Sequence, residues 1–212
     1  MKYLSLYDLT GIQSYIFGSN ALKENLGGSF LVNQALERWL PAAAEEARAE
    51  FLWSGGGNGM VMARGADQAR EVARLLSGML HDQAPGLHVA CSHAEWDESL
   101  EGFRTAREVL ERQLSNHKAG RWPPAAFDGA GVTAACSTTG EPAVDSKYDR
   151  WLGPAALARL DSSDAAEEDI QNLFRLDCYR DPKDESRRLA WTTDIDKLGR
   201  SKGEQSMIGV IH

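Results

Sequence analysis

An aspartate and a glycine lie where the first predicted strand of the chain ends. They belong to Asp8-Leu-Thr-Gly11-Ile12-Gln13, which follows the apolar segment Lys2–Asp8. A carboxylate in this position can bind Mg²⁺ or Mn²⁺ together with phosphate oxygens. Gly11 lets the backbone approach a ligand closely, and the amides of Ile12 and Gln13 open a helix and can face a phosphate. In the alternative interpretation, Asp8 only caps the helix and Gly11 only forms the turn.

A glycine-rich hairpin is the second candidate for a ligand site. Trp53-Ser-Gly-Gly-Gly-Asn-Gly59 separates two strand-like segments, and a row of glycine amides can form a concave anion site. Asn58 could hydrogen-bond a ribose or a base. Because neither Gly57 nor Asn58 is anionic, we do not expect a second metal position here. A plain glycine-rich turn is the alternative. The candidate binding residues of this hairpin are Ser54, Gly55, Gly56, Gly57 and Asn58.

The elements around these residues predict an α+β fold. Apolar spacing predicts a strand over 2–8, a helix from Gly11, strands over 50–54 and 58–64, a helix over 66–80 and a strand over 87–93. A longer helix is expected to follow Gly27-Gly28-Ser29, with Ser29 as N-cap and Pro41 as its break. This βαββαβ order is the ferredoxin-like arrangement, in which two helices cover one face of an antiparallel sheet.

The second half of the sequence is predicted to be partly helical and rich in loops. We expect a helix over 100–116, loops over about 120–148, an acidic helix over 157–176, polar residues over 187–204 and a strand over 207–211. The predicted divisions are a ferredoxin-like domain over 1–98, a connector over 99–188, and the truncated start of another domain over 189–212.

The composition is that of an acidic globular protein. The 212 residues carry a formal charge of −8, which argues against strong nucleic-acid binding but allows a small phosphorylated ligand on backbone amides. Three separated cysteines do not form a disulfide framework, and the sequence has neither a signal peptide nor a membrane-spanning run. We therefore expect a cytoplasmic protein with no membrane partner.

Cysteine and histidine on the last predicted strand of the sheet offer only half of a zinc site. Cys91 and His93 share one face of this strand, and two more ligands would be needed. Cys136 and Cys178 lack the Cys-x-x-Cys partners that zinc sites use, so no zinc is expected.

Three ordered blocks of this sequence resemble the CRISPR polymerase family, which includes the large polymerase-like subunit of type III CRISPR effector complexes and related palm-domain polymerases. The blocks are Tyr7–Phe17, Gly27–Leu31 and Ser54–Asn58, and they are similar to the first palm domain of that family in sequence and spacing. The segment from Cys136 to Ala143 resembles the connector between two palms. Met207–His212 resembles the first strand of the second palm.

The resemblance implies a two-palm nucleotidyltransferase that joins ATP into cyclic oligoadenylate or cyclic dinucleotide messengers in antiviral defence. Both palms of such an enzyme bind nucleotide, and the second supplies metal-binding carboxylates from an aspartate loop and a Gly-Gly-Asp-Asp hairpin, neither of which occurs in these 212 residues. Mapped by motif, Asp8, Gly11, Ile12 and Gln13 would face the nucleotide beside the 54–58 hairpin. The implied partners are ATP, a second palm domain and a CRISPR RNA-guided complex.

Two functions remain open for the chain. In the first it is the nucleotide-binding part of such an enzyme and is inactive alone. In the second it is a non-catalytic nucleotide-sensing or scaffold module with a degenerate palm, which the uncharged Gly57 and Asn58 favour. An unrelated ferredoxin-like interaction domain is a third and weaker alternative, since three blocks agree in order and spacing.

Overall fold

The first strand, β1 (Lys2–Thr10), lies inside a four-stranded antiparallel sheet. In the computed structural model, which describes residues 1–120, 133–174, 180–181 and 184–188, the strand order is β2-β3-β1-β4. The other strands are β2 (Glu50–Gly55), β3 (Asn58–Ala63) and β4 (His88–Trp96). Since β1 pairs with β3 on one side and β4 on the other, its last residues are flanked on both sides.

Helices connect these strands in the order that the sequence predicts. The chain passes from β1 through α1 (Ile12–Phe17), α2 (Leu22–Gln34), a π-helical turn (Ala35–Trp39) and α3 (Leu40–Glu46) to β2 and β3, and then through α4 (Ala66–Gln83) to β4. The α+β class is confirmed, and the strand order and directions are those of the βαββαβ arrangement.

Side chains of β1 alternate between two faces of the sheet, and each face has its own core. Tyr7 and Leu9 belong to a cluster with residues of α2, α3 and α4. Leu4 and Leu6 belong to a second cluster with residues of α5 (Leu100–Ala119). The other face, to which the sequence pattern assigns no helix, is covered by α5, which follows the fourth strand and buries its own apolar stripe, made of Ala106, Leu110 and Leu114.

The helix after the first turn begins earlier than its glycines suggest. Helix α2 runs continuously through Gly27 and Gly28, so Ser29 is not its N-cap. These glycines mark a close helix contact: a Cβ on Gly27 would lie 1.7 Å from the carbonyl oxygen of Arg159, on the neighbouring helix α6 (Pro154–Asp161). Paired glycines often interrupt a helix, but in α2 they allow a second helix to pack closely.

Pro41 does not end the helical path either. It lies in the first turn of α3, where a backbone N–H is not needed for the helix, and the π-helical turn comes immediately before it. A wider turn at this point accommodates a residue whose ring would otherwise clash with the preceding turn.

By internal contacts the chain divides into two compact units, residues 1–163 and 164–212. In the first unit, α5 is followed by a short hairpin of β5 (Asp145–Lys147) and β6 (Arg150–Leu152) and then by α6. The predicted helix over 157–176 is in fact two helices, α6 and α7 (Ser163–Phe174), separated at Ser162. The predicted loops over 120–148 contain β5, and their part over 121–132 lies outside the described residues.

Of the second unit, the structure describes most of α7 and a pair of short antiparallel strands, β7 (Arg180–Asp181) and β8 (Asp184–Arg188). The strand predicted over 207–211, and with it the expected start of another domain at 189, lie outside the described residues. The boundaries 98/99 and 188/189 therefore stay predictions. In the described part of the chain, no helix has the length and apolarity needed to cross a membrane.

The contact between α2 and α6 gives the first prediction. Gly27→Ala should lower the free energy of unfolding by about 3 kcal/mol or more, because the new methyl group would overlap backbone that cannot move alone. Gly78→Ala is the matched control: it lies in α4 with open space around it, and it should raise stability by about 0.5–1 kcal/mol. Urea denaturation measures both, and equal effects of the two variants would contradict the close packing.

Candidate functional site

The aspartate turn and the glycine hairpin lie next to each other in the structure. Asp8 on β1 is directly opposite Asn58 on β3, and the Leu9 N–H donates to the Gly57 carbonyl over 2.9 Å. The pairing of two strand ends brings these segments together. The two groups of candidate residues therefore share one end of the sheet.

The side chain of Asp8 points to the α5 face of the sheet, on the same side as Leu4 and Leu6. Its Oδ2 lies 2.6 Å from Nζ of Lys118, which belongs to the last turn of α5. The carboxylate side chain is only 15% exposed, whereas that of Lys118 is 41% exposed. Asp8 is therefore paired with a cation. It does not cap α1, because the N-cap residue of that helix is Gly11.

Gly11 and Gln13 are exposed, whereas Ile12 packs against the hairpin. Gly11 has φ 71°, in the left-handed region that favours glycine, and its carbonyl accepts the Tyr15 N–H. The Cδ1 atom of Ile12 would lie 2.8 Å from a Cβ on Gly57. The role of Ile12 in this structure is thus to hold the turn and the hairpin together by an apolar contact.

The hairpin exposes two of its glycines. Gly55 and Gly56 have open space around them, and Gly56 and Gly57 have positive φ angles of 61° and 85°. The side-chain amide of Asn58 donates to the Gly56 carbonyl over 3.3 Å, so it braces the turn. Ser54 is half-buried and pairs with Gly59 on β3.

A cavity of about 590 Å³ opens beside Asp8 and Asn58, between the sheet and α5. Leu6, Met60 and Leu114 give it an apolar wall. Polar and aromatic groups from three elements surround the rest. The other residues that line it are Trp53, Phe103, Arg107, Glu111, Ser115 and Lys118. Its volume falls within the range of small-molecule sites.

Sequence patterns gave no binding role to the cations or to the tryptophan of this cavity. Lys118 is 110 positions from Asp8, and no local spacing connects the two. Arg107 forms an ion pair with Glu111 at 2.7 Å on the same helix, and Trp53 is 44% exposed at the hairpin. Only the packing of α5 on the sheet places these side chains around one cavity.

The described residues of the site do not form a preassembled set of metal ligands. Among the described residues, no group of three or more His, Cys, Asp or Glu side chains could hold a metal ion. A single carboxylate, Asp8, fits an Mg²⁺ ion that arrives with the phosphates of a nucleotide, because Mg²⁺ often takes only one or two protein carboxylates. Lys118 would have to leave that carboxylate first.

His93 makes a hydrogen bond inside the sheet, and Cys178 lies outside the described residues. His93 Nδ1 lies 2.8 Å from Oγ of the buried Ser5, and burial, with Arg70 and His117 nearby, lowers the pKa of His93. Burial raises the pKa of Cys91.

Cys136 has a different environment, in the loop before β5. Burial raises the pKa of its thiol, but hydrogen bonds from Thr138, Thr139 and backbone N–H groups outweigh burial and bring the pKa down to about 7.

Comparisons with known proteins give only distant similarity. No family model matches the chain, and no curated protein matches it. Similar solved structures include crystal structures of a Csm1-Csm4 cassette in complex with cA4 and with AMPPNP, each at 21% identity and a TM-score of 0.44 over 57% of this chain and 19% of that chain. Another is the Csm1-Csm4 subcomplex in the type III-A CRISPR-Csm interference complex, at 20% identity and a TM-score of 0.44, over 59% of this chain and 20% of that chain.

The chain thus spans about a fifth of the length of these solved proteins. Similarity at this level establishes neither family membership nor function. The function proposed below rests on the residues of the chain itself.

The contact between Ile12 and Gly57 gives the second prediction. Gly57→Ala should lower the free energy of unfolding by about 2–3 kcal/mol, because alanine at this φ is strained and its methyl group would meet Ile12. Ile12→Val removes the clashing Cδ1 and should recover part of that loss in the double variant. Gly55→Ala, in open space, is the control and should be near neutral. Thermal and urea unfolding measure the stability of the wild type, the three single variants and the double variant. If Gly57→Ala destabilises the chain equally with Ile12 and with Val at position 12, the contact is contradicted.

Proposed function

We propose that this chain is the nucleotide-binding palm part of a CRISPR-polymerase-like nucleotidyltransferase that makes cyclic oligonucleotide messengers from ATP. The observation that carries the proposal is the meeting of the Asp8 turn and the 54–58 hairpin beside one cavity. Those two segments also belong to two of the three blocks in which the sequence resembles the CRISPR polymerases. A second palm domain, a CRISPR RNA-guided complex and a cytoplasmic location are parts of the same proposal.

The cavity offers distinct surfaces for the parts of ATP. Trp53, partly exposed at its edge, is suited to stacking on a purine, and stacking on aromatic side chains stabilises bases by about 1–3 kcal/mol. Lys118 and Arg107 are the cations of the lining, and each would have to exchange its carboxylate partner, Asp8 or Glu111, for a phosphate. Gly55 and Gly56 lie between the lining residues Trp53 and Asn58 without lining the cavity themselves, and their exposure leaves room for a phosphate to approach the hairpin backbone.

Binding of a triphosphate would rearrange the ion pair at the end of β1. Lys118 Nζ can move from the Asp8 carboxylate to a phosphate, since both partners are anionic and the lysine side chain is 41% exposed. The freed Asp8 would then hold Mg²⁺ or Mn²⁺, which when bound would neutralise charge on the phosphates. Asp8 and Lys118 together would tie nucleotide binding to the end of the central strand.

A non-catalytic nucleotide-sensing or scaffold module is the second candidate. The hairpin position opposite Asp8 holds Asn58, whose amide braces its own turn, and Asp8 is neutralised by Lys118. Two-metal chemistry needs more carboxylates than the described part of this site provides. This candidate binds nucleotide in the same cavity and differs only in lacking catalysis with a second palm.

Nucleotide binding can be followed by tryptophan fluorescence. ATP with Mg²⁺ should quench the emission of the wild-type chain, and Trp53→Phe should abolish most of the quenching because the stacking indole is lost. Trp39→Phe is the matched control, since Trp39 packs against the core on the other face of the sheet and lines neither this cavity nor the one at the 17–21 loop, and it should leave the quenching unchanged.

Calorimetry on two further variants tests the residues that are proposed to bind the phosphates of ATP and their metal ion. Lys118→Gln should weaken ATP binding about tenfold, which is the loss of one charge-assisted hydrogen bond, and Asp8→Ala should weaken it only when Mg²⁺ is present. A wild-type chain that gives neither heat nor quenching, with its fold intact, would overturn the proposal for this cavity.

The chain alone should make no cyclic oligoadenylate. Asp8 is the only carboxylate at the turn and hairpin, and no metal-binding group of three carboxylates or other ligands occurs in the described residues. Incubation with ATP and Mg²⁺ or Mn²⁺, followed by chromatography of the nucleotides, measures the product. Product formed by the wild-type chain and lost in Asp8→Ala would contradict this prediction and exclude the non-catalytic candidate.

A further inference from the structure

A second cavity, of about 420 Å³, lies away from the first, at the loop between α1 and α2. Its walls come from two distant parts of the chain, the 17–21 loop and the segment around β5 and β6. The residues that line it are Phe17, Gly18, Ser19, Asn20, Ala21, Ser137, Thr138 and Arg150. None of these lining residues is acidic, and one of them is an arginine.

The charge behind this cavity is positive. Glu24, which is fully buried in α2, accepts from Nη2 of Arg150 over 2.8 Å, and its second oxygen lies 3.7 Å from Nη2 of Arg159. Arg159 is only 2% exposed. One carboxylate thus faces two guanidinium groups, so the network carries a net positive charge, and Arg159 is its poorly solvated cation, whereas Arg150 is partly exposed.

Arg159 lies directly behind the cavity wall. A Cβ on Gly18, one of the lining residues, would be 3.5 Å from Nη1 of Arg159. Nη1 donates to the Tyr15 carbonyl over 2.5 Å, but Nη2 has no hydrogen-bond partner. An anion in the cavity would therefore be attracted by a buried charge that Glu24 neutralises only in part.

The lining also supplies hydrogen-bond donors. Ser19 is 94% buried from solvent, being 6% exposed, and its Oγ accepts the Ala21 N–H over 3.0 Å, which leaves its own proton to donate. Arg150 uses one nitrogen on Glu24, and its side chain is 32% exposed, so its remaining N–H groups can reach a ligand. Phe17, at 63% exposed, presents an aromatic ring at the rim.

We propose that this cavity binds a nucleoside monophosphate: Arg150 and Ser19 hold the phosphate, and Phe17 stacks on the base. The phosphate supplies the negative charge that the Glu24–Arg150–Arg159 network lacks. The exposed Phe17 ring gives a nucleotide an advantage over a free phosphate ion. This site is separate from the cavity beside Asp8, and its occupancy does not depend on the function proposed for that cavity.

Calorimetric titration of the full chain with AMP and with inorganic phosphate tests this site. We expect both to bind, and AMP to bind about tenfold more tightly because of base stacking. Phe17→Ala should lower the affinity for AMP to that for inorganic phosphate and leave the affinity for phosphate unchanged. Equal affinities in the wild type would overturn the role of Phe17, and no binding of either probe would overturn the site.

Arg150→Gln is unsuitable as a sole test, because it leaves Glu24 without its closer partner and could unfold the chain. Ser137→Asp instead places a carboxylate in the cavity at an exposed position, and it should abolish binding of both probes. It also removes the hydrogen bond from the Ser137 hydroxyl to the Trp151 carbonyl, so Tm should fall slightly while the chain stays folded. Ser146→Asp makes the same charge change on the β5–β6 hairpin outside the lining, and it should bind as the wild type does.

Lys118→Gln separates the two sites, because Lys118 lines only the cavity beside Asp8. That variant should keep AMP binding at the second cavity while losing affinity for ATP at the first. AMP binding that survives Ser137→Asp but is lost in Lys118→Gln would place the nucleotide in the first cavity and overturn the second site.

Discussion

The pairing of β1 with β3 at the end of the sheet is the interaction on which the candidate site depends. It sets Asp8 opposite Asn58 and joins Leu9 to Gly57 by a backbone hydrogen bond. A slip of one residue would turn Asp8 to the opposite face of the sheet, because side chains alternate along a strand. Two buried cores prevent that slip, because Tyr7 and Leu9 are buried on the face covered by α2–α4, and Leu4 and Leu6 are buried on the face covered by α5.

Helix α5 converts the end of this sheet into a cavity. It is amphipathic, buries one apolar stripe on the sheet, and carries Arg107 and Lys118 on the part that borders the cavity. A lysine in the last turn is also favoured by the partial negative charge of the helix C-terminus. The position of one helix thus brings two cations to the cavity, each paired with a carboxylate that also lines it, Glu111 or Asp8.

A buried ionic network fixes the other cavity. Glu24, Arg150 and Arg159 connect α2 to the β5–β6 hairpin and to α6, and Gly27 lets α6 approach closely. Such a network adds little stability compared with apolar packing, but removing one member leaves a buried charge unpaired. It therefore specifies how these segments pack, and it leaves an excess of positive charge for a ligand to neutralise.

Sequence alone determined the order of elements in the sheet and the two segments that form the candidate site. Alternating and helical apolar spacing is a local signal, and Gly11, Gly56 and Gly57 have the positive φ angles that their turns require. Tertiary structure decided everything that depends on contacts between distant residues. The continuity of α2 through Gly27, the covering of the second face by α5, and the pairing of Asp8 with Lys118 all arise from packing between segments far apart in the chain. No local pattern encodes such contacts, because their free energy exists only when both segments are already in place.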